Sequence, residues 1–211
     1  MAVDAAPLPW QLAHPHACGL DEVGRGALAG PLVAAAVVLP PGFAHPLLRD
    51  SKLLSERQRE TIEPLIRAAA VALQVILIEV ALIDDRGVGW ANRVAFERLI
   101  EDVSAPEYLA DGNLRISTTR RYQSVIGGDR LVPAISAASI VAKVYRDHLM
   151  RELHPDFPHY RWAENKGYGT PHHLGAIHQH GICSHHRRSF IHEEQPELFE
   201  ELERVPAPSP A

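Results

Sequence analysis

Two adjacent carboxylates, Asp21 and Glu22, close an apolar run and are followed at once by the turn Gly24-Arg25-Gly26. In a strand, neighbouring side chains point to opposite faces, so one of the two acids must face the core side unless the chain bends there. An ionised carboxylate leaves water at a cost unless it is paired, hydrogen-bonded or bound to a cation. A hard divalent ion with oxygen ligands is a common solution. A strand ending in an acidic turn is the plain alternative. The neighbourhood favours chemistry, because glycines let the backbone approach a ligand. The amides of Gly24 and Gly26, with Arg25 between them, can meet phosphate or sugar oxygens.

A strand ending in glycine and aspartate occurs twice more. Pro106-Glu-Tyr-Leu-Ala-Asp-Gly-Asn113 presents Asp111 at a strand edge, where ligands collect in open α/β sheets, although an Asp-Gly dipeptide also makes ordinary turns. Tyr122-Gln-Ser-Val-Ile-Gly-Gly-Asp129 ends in the same way. No serine–histidine–aspartate order and no reactive-cysteine context competes, so four carboxylates point to metal-assisted chemistry. Asp84 and Asp85 are expected in a helix start or loop and outside the chemistry. Ser136, Ser139, Lys143 and Asp147 recur at helical spacing, which suits support of a site, with a direct role for Asp147 the weaker reading. Tyr168, set between glycines in Lys166-Gly-Tyr-Gly-Thr170, is placed to offer an exposed ring for stacking. Many histidines follow, from His172 to His186, but no cysteine pair completes a closed zinc set.

Gly19-Leu-Asp-Glu-Val-Gly-Arg-Gly26 with Leu28-Ala-Gly-Pro31 closely resembles the N-terminal signature of ribonuclease HII, which cuts RNA strands within RNA–DNA hybrids. Further segments match in the same order: those ending in Asp111 and Asp129, the one opening at Ile135, and those around Tyr168 and His185-His-Arg-Arg-Ser-Phe190. Together they span about residues 17 to 190. The resemblance implies an α/β fold, a ribonuclease H-like mixed β-sheet flanked by α-helices with a C-terminal helical segment. It implies Asp21, Glu22 (by side chain or backbone), Asp111 and Asp129 as catalytic metal ligands. They would hold two Mg²⁺ or Mn²⁺ ions about 4 Å apart for in-line phosphodiester hydrolysis. Cleavage would fall 5′ of ribonucleotides, including those embedded in duplex DNA, and leave 3′-hydroxyl and 5′-phosphate ends.

The resemblance also assigns substrate contacts: Gly24, Arg25 and Gly26 to the ribose 2′-hydroxyl, the group that distinguishes RNA from DNA, and Tyr168 to the adjoining deoxyribose. Ser51, Lys52, Arg187 and Arg188 are expected at phosphates, and Ser139 and Lys143 on the substrate side. Two departures remove positive charge: a second lysine of the Asp50–Ser55 segment is leucine here, and Gly127 stands where the family often has lysine. A ribonuclease HIII would carry an extra domain ahead of the same signature and is set aside, because only twenty residues precede Asp21. A non-catalytic hybrid-binding module is disfavoured, since a pure binder gains nothing by gathering negative charge near phosphates.

These residues require a scaffold of strands near 17–23, 32–39, 73–80, 107–111 and 122–126. The third, apolar on both faces, reads as central. Ser55 is placed to cap a helix whose face carries Ile62, Leu65, Ile66 and Ala69, with Pro64 expected to kink or split it. A second helix, near 88–103, should bury Phe96, Leu99, Ile100 and Val103. A third should present Ile135, Ala138, Ala142, Tyr145 and Leu149. Residues 1–16 read as a flexible leader, 17–190 as one catalytic domain and 191–211 as an acidic, flexible tail.

A length of 211 residues with 46% hydrophobic content suits one well-buried domain. Two cysteines form no framework, no basic signal region precedes Arg25, and no apolar run is long enough to span a bilayer, so a cytoplasmic monomer is expected. The net charge of −5 is uneven. Six of the 26 acids but one of the 21 bases lie from Ile191 onward, which leaves 20 of each before it and room for a basic stripe on nucleic acid. Within that tail, Gln195-Pro-Glu-Leu-Phe199 resembles the peptide by which bacterial replication proteins dock on the sliding clamp.

Overall fold

The computed structural model describes residues 9–49 and 54–191. The Ser51 and Lys52 contacts and the Gln195–Phe199 peptide lie outside the described residues. Five strands, β1 (Cys18–Val23), β2 (Leu32–Val38), β3 (Ala72–Ile78), β4 (Tyr108–Asp111) and β5 (Tyr122–Val125), form one mixed sheet in the order β3-β2-β1-β4-β5. β1 runs antiparallel to β2 and parallel to β4, and β4 is parallel to β5.

The alternation along β1 and β2 builds two cores. Cys18 and Leu20, with Leu32, Ala34, Ala36 and Val38, meet helix α4 (Val88–Asp102) on one face, where Phe96, Leu99, Ile100 and Val103 are buried as expected. Val33, Ala35 and Val37 meet helices α2 (Glu56–Ala69) and α6 (Pro133–Leu153) on the other. β2 is therefore buried along its whole length, as a strand covered on both faces must be.

Three expectations change. β3 is an edge strand, not a central one; Leu73, Val75 and Leu77 face the α6 core and Ile76 faces the α4 core, so its two-sided apolarity reflects cover on both faces. Pro64 does not split α2, which runs unbroken through it behind a capping box formed by Ser55 and Gln58, while Leu65 is exposed and Ile62 and Ile66 are buried. In α6, Ala137, Ile140, Val141 and Val144 are buried beside Ile135, Ala138 and Ala142, whereas Tyr145 is partly exposed. That helix is enclosed on several sides and has no single buried stripe.

Residues 9–16, read as loose, include the short helix α1 (Pro9–Ala13); Trp10 packs against the Leu109–Ile135 cluster and His14 Nδ1 lies 2.8 Å from Glu107 Oε1. Three further helices complete the fold: α3 (Val80–Arg86), α7 (Trp162–Asn165) and α8 (Pro171–His180). The short α5 (Gly128–Leu131) precedes α6, and α7 and α8 form the C-terminal helical segment expected of the chain, packed around Met150, Tyr160, Trp162 and Ile177. Among the described residues no helix is long and apolar enough to cross a membrane.

Candidate active site

β1 touches α6 through a position that has no side chain. A Cβ on Gly19 would stand 2.0 Å from the Ala134 carbonyl carbon and 2.2 Å from Ile135 N, so strand and helix backbones are in direct contact. Two residues further along the same face comes Asp21, nearly fully buried, whose carboxylate is hydrogen-bonded by Ser139 of α6. Glu22 points to the opposite face, where Asn92 of α4 hydrogen-bonds it. The alternation that separates two apolar cores thus splits the Asp-Glu pair between two helices. The backbone N–H of Glu22 also donates to Asp21 Oδ1 at 2.8 Å.

The parallel neighbour β4 ends on Asp111, one step beyond the Leu20↔Ala110 pairing. The Gly128 N–H donates to Asp111 Oδ1 at 2.7 Å and so pins the start of α5, whose next residue, Asp129, is fully buried. Burial, then the charge of Glu22 and that of Asp111, hold the Asp21 carboxyl well above its ordinary range. Burial raises Glu22 as well; Arg25 opposes this and Asp111 adds to it. These three acids therefore feel one another's charge. Hard carboxylate oxygens in mutual repulsion suit a divalent cation. Among the described residues, no group of three or more His, Cys, Asp or Glu side chains is placed so that it could hold a metal ion.

Beside the acids, the Gly24–Gly26 turn is exposed at Arg25 and Gly26, while Gly24, at φ +88°, lies against Arg146, whose Nε would be 2.3 Å from a Cβ there. Buried Arg146 donates to the carbonyls of Pro31 at 3.0 Å, Lys166 at 2.8 Å and Ala29 at 2.8 Å. The Leu28 and Ala29 N–H groups both donate to Gly167 O, joining this turn to the loop that carries Tyr168. The Tyr168 ring lies beside Arg146 Cζ at 5.3 Å and Lys143 Nζ at 5.7 Å.

The family profile described as Ribonuclease HII matches residues 18–193. The chain belongs to the ribonuclease HII family. A ribonuclease HII of Burkholderia mallei (strain SAVP1) is 50% identical over 175 residues, 82% of each chain. Among solved structures, the PCNA:RNase HII complex from Archaeoglobus fulgidus superposes with a TM-score of 0.72 at 24% identity, covering 85% of this chain and 96% of that one. Bst-RNase HIII in complex with Mn²⁺ gives 0.65 at 18% identity, covering 90% and 70%. These two likenesses concern the fold. As a ribonuclease HII, the chain is a ribonuclease H, a hydrolase acting as an endonuclease on RNA–DNA hybrids.

Several expected substrate contacts are differently employed. Arg187 is fully buried, donating to Gly30 O at 3.0 and 2.8 Å and to Arg25 O at 2.9 Å, so it braces the glycine turn and does not reach out to phosphate. Arg188 is exposed. Ser139 faces Asp21. Lys143 donates to Asp147 at 2.6 Å, and burial, offset by that carboxylate, lowers its pKa. Asp147 thus holds Lys143, with Arg59 3.9 Å away. Asp84, in the last turn of α3, accepts from the N–H groups of Arg188 and Ser189 and fastens the C-terminal segment.

Asn92 and Arg146 escaped the sequence reading. Each had a signal: an asparagine among Ala91, Ala95 and Phe96, and an arginine one step along the Ala138–Ala142 stripe.

Proposed function

We propose that the chain cuts the RNA strand of RNA–DNA hybrids, and duplex DNA carrying embedded ribonucleotides, on the 5′ side of a ribonucleotide. The products would end in 3′-hydroxyl and 5′-phosphate groups. The observation that supports this reading is that Asp21, Glu22 and Asp111 stand at the ends of the parallel neighbours β1 and β4, where the charges of Glu22 and Asp111 help to raise Asp21.

Asp21, Glu22, Asp111 and Asp129 would hold divalent ions here. Bound Mg²⁺ or Mn²⁺, as a pair, supplies an activated water and stabilises the leaving oxygen of an in-line displacement. The residues around them do the rest. Ser139 and Asn92 aim the two β1 carboxylates. The Gly24–Gly26 backbone, braced by Arg146 and Arg187, meets the ribose 2′-hydroxyl, and Tyr168 stacks on the adjoining sugar. Lys143 and Arg188 face the phosphates, with Ser51 and Lys52 assigned to them by the family pattern. The acidic segment containing Gln195–Phe199 is proposed to dock on a sliding clamp. The Archaeoglobus fulgidus complex supports this by pairing a family member with PCNA.

A duplex containing one ribonucleotide, labelled at both ends, tests the reaction. In Mg²⁺ or Mn²⁺ the expected product is a single nick 5′ of the ribonucleotide whose 3′ end a polymerase extends, with the all-DNA duplex intact. Cleavage without metal, or equal cutting of the all-DNA duplex, would refute it. For the tail, L198A/F199A should abolish clamp binding while leaving the nick unchanged; unaltered binding removes the docking proposal.

A further inference from the structure

Behind the Tyr168 loop, four side chains that the reaction does not use form a closed chain of hydrogen bonds. His173, His186 and Trp162 are buried. The proton positions in this chain follow from what each partner is able to do. His173 Nδ1 lies 2.9 Å from the Tyr168 carbonyl, which only accepts, so Nδ1 carries the proton. His173 Nε2 lies 3.1 Å from Trp162 Nε1–H, which only donates, so Nε2 is the acceptor and the ring is neutral. At the other end the Cys183 backbone N–H donates to His186 Nδ1 at 3.0 Å, with Cys183 Sγ 3.3 Å from the same atom. His186 must then carry its proton on Nε2, which faces His173 Nε2 at 3.1 Å and donates to it. In each bond a donor faces an acceptor, with the single Nε2 lone pair of His173 shared between Trp162 Nε1–H and His186 Nε2–H, and an added proton on either ring would set donor against donor.

The two rings come from the two halves of the proposed sugar pocket. His173 belongs to α8, whose cap Thr170 adds a second N–H, at 2.8 Å, to the Tyr168 carbonyl. His186 sits in the segment bridged to Ala29, just past the Gly24–Gly26 turn, and precedes Arg187, which braces that turn. The histidine–histidine bond thus joins the wall that senses the ribose to the carbonyl that fixes the stacking ring.

We infer that His173 and His186 form a neutral, proton-ordered pair of positioning residues that sets Tyr168 against the Gly24–Gly26 turn. This inference rests on the proposed role of Tyr168 as the stacking platform.

The test compares steady-state cleavage of the single-ribonucleotide duplex by the wild type, Tyr168→Ala, His186→Leu, His186→Gln and the double variant Tyr168→Ala/His186→Leu. Glutamine places an amide N–H where His186 has Nε2–H; leucine offers none. His186→Leu is expected to raise KM about tenfold with kcat changed less than threefold. His186→Gln should return KM to within threefold of the wild type, and His186→Leu should add nothing once Tyr168 is alanine. If Tyr168→Ala itself leaves KM unchanged, the platform reading falls and takes this inference with it. If Tyr168→Ala raises KM while His186→Leu does not, or acts in full on top of it, the inference alone falls. Should the leucine variant fail to fold, long-range ¹H–¹⁵N spectra of the unaltered protein decide. Nδ1–H at His173 and Nε2–H at His186 are required, and any other tautomer overturns the pair.

Discussion

Asp21 is held where its charge is least welcome. Buried and set beside Glu22 and Asp111, its carboxyl has a native pKa raised above the unfolded value. The native state therefore holds this proton more tightly than the unfolded chain does. Stability is lost as pH rises from the ordinary carboxylate range toward the raised value, so ionising this group is a net cost to the fold. Asp21→Asn removes that cost, so the metal-free variant should melt a few degrees above the wild type at pH 7.5. The wild type is expected to gain melting temperature from Mn²⁺ bound to its native state, and the variant should lose that gain. Its cleavage should fall beyond the roughly 10–100-fold expected when an outer partner of a metal ligand is removed. Ser139→Ala and Asn92→Ala remove such outer partners, one on each face of β1, and should each fall within that range. Cleavage rates on the single-ribonucleotide duplex check the losses of activity, and calorimetry with and without Mn²⁺ checks the two melting statements: an Asp21→Asn protein that is less stable, or still stabilised by the ion, would contradict the assignment of Asp21.

At the scale of elements, everything depends on how closely β1 lies on α6. The atoms facing Gly19 are the backbone of Ala134 and Ile135, which no rotamer change moves aside. Gly19→Ala should therefore cost about 2–3 kcal/mol, or roughly 5–10 °C in melting temperature. Gly26→Ala, where a Cβ meets nothing within 4 Å, should leave melting within experimental error. Equal effects at the two glycines would mean that the strand–helix contact is not close. The sequence disclosed that a strand ends on Asp-Glu because alternation and glycine punctuation are local. It also disclosed all five strands and the buried face of α4. It did not disclose that β3 lies at an edge, since apolarity on both faces reports cover, and cover comes from helices distant in the chain. Nor did it show that Arg187 turns inward, because the carbonyls of Gly30 and Arg25 that claim its donors lie more than 150 residues away. Positions of acids along strands were legible, and so was Ser139 as part of a supporting helix; Asn92 was legible only as a residue out of keeping with its surroundings.

Across the whole molecule, two buried titrations of opposite sign act on different elements of the fold. Burial, then the neighbouring His173, push His186 down to about 4, and burial lowers His173. The unfolded chain, near pKa 6.5, takes up protons that the native state refuses. The stability these rings contribute is thus full above about pH 6.5 and is lost as pH falls toward 4. Over the same acid range Asp21 works the other way, gaining its proton more readily in the native state. The wild-type melting curve between pH 4 and 7 is the sum of these slopes and by itself reveals neither. Removing one at a time separates them. His186→Gln, which no longer titrates, should flatten the acid loss. Asp21→Asn should steepen it, because the opposing gain is gone. The two residues lie on different elements and share no hydrogen-bond partner among the described residues, so the double variant should follow the sum of the single changes to within about 0.5 kcal/mol. Melting temperatures of the four metal-free proteins at half-unit pH steps give the answer. A steeper curve for His186→Gln would show that the ring is already protonated in the native fold, and the donor–acceptor order around it would then be wrong.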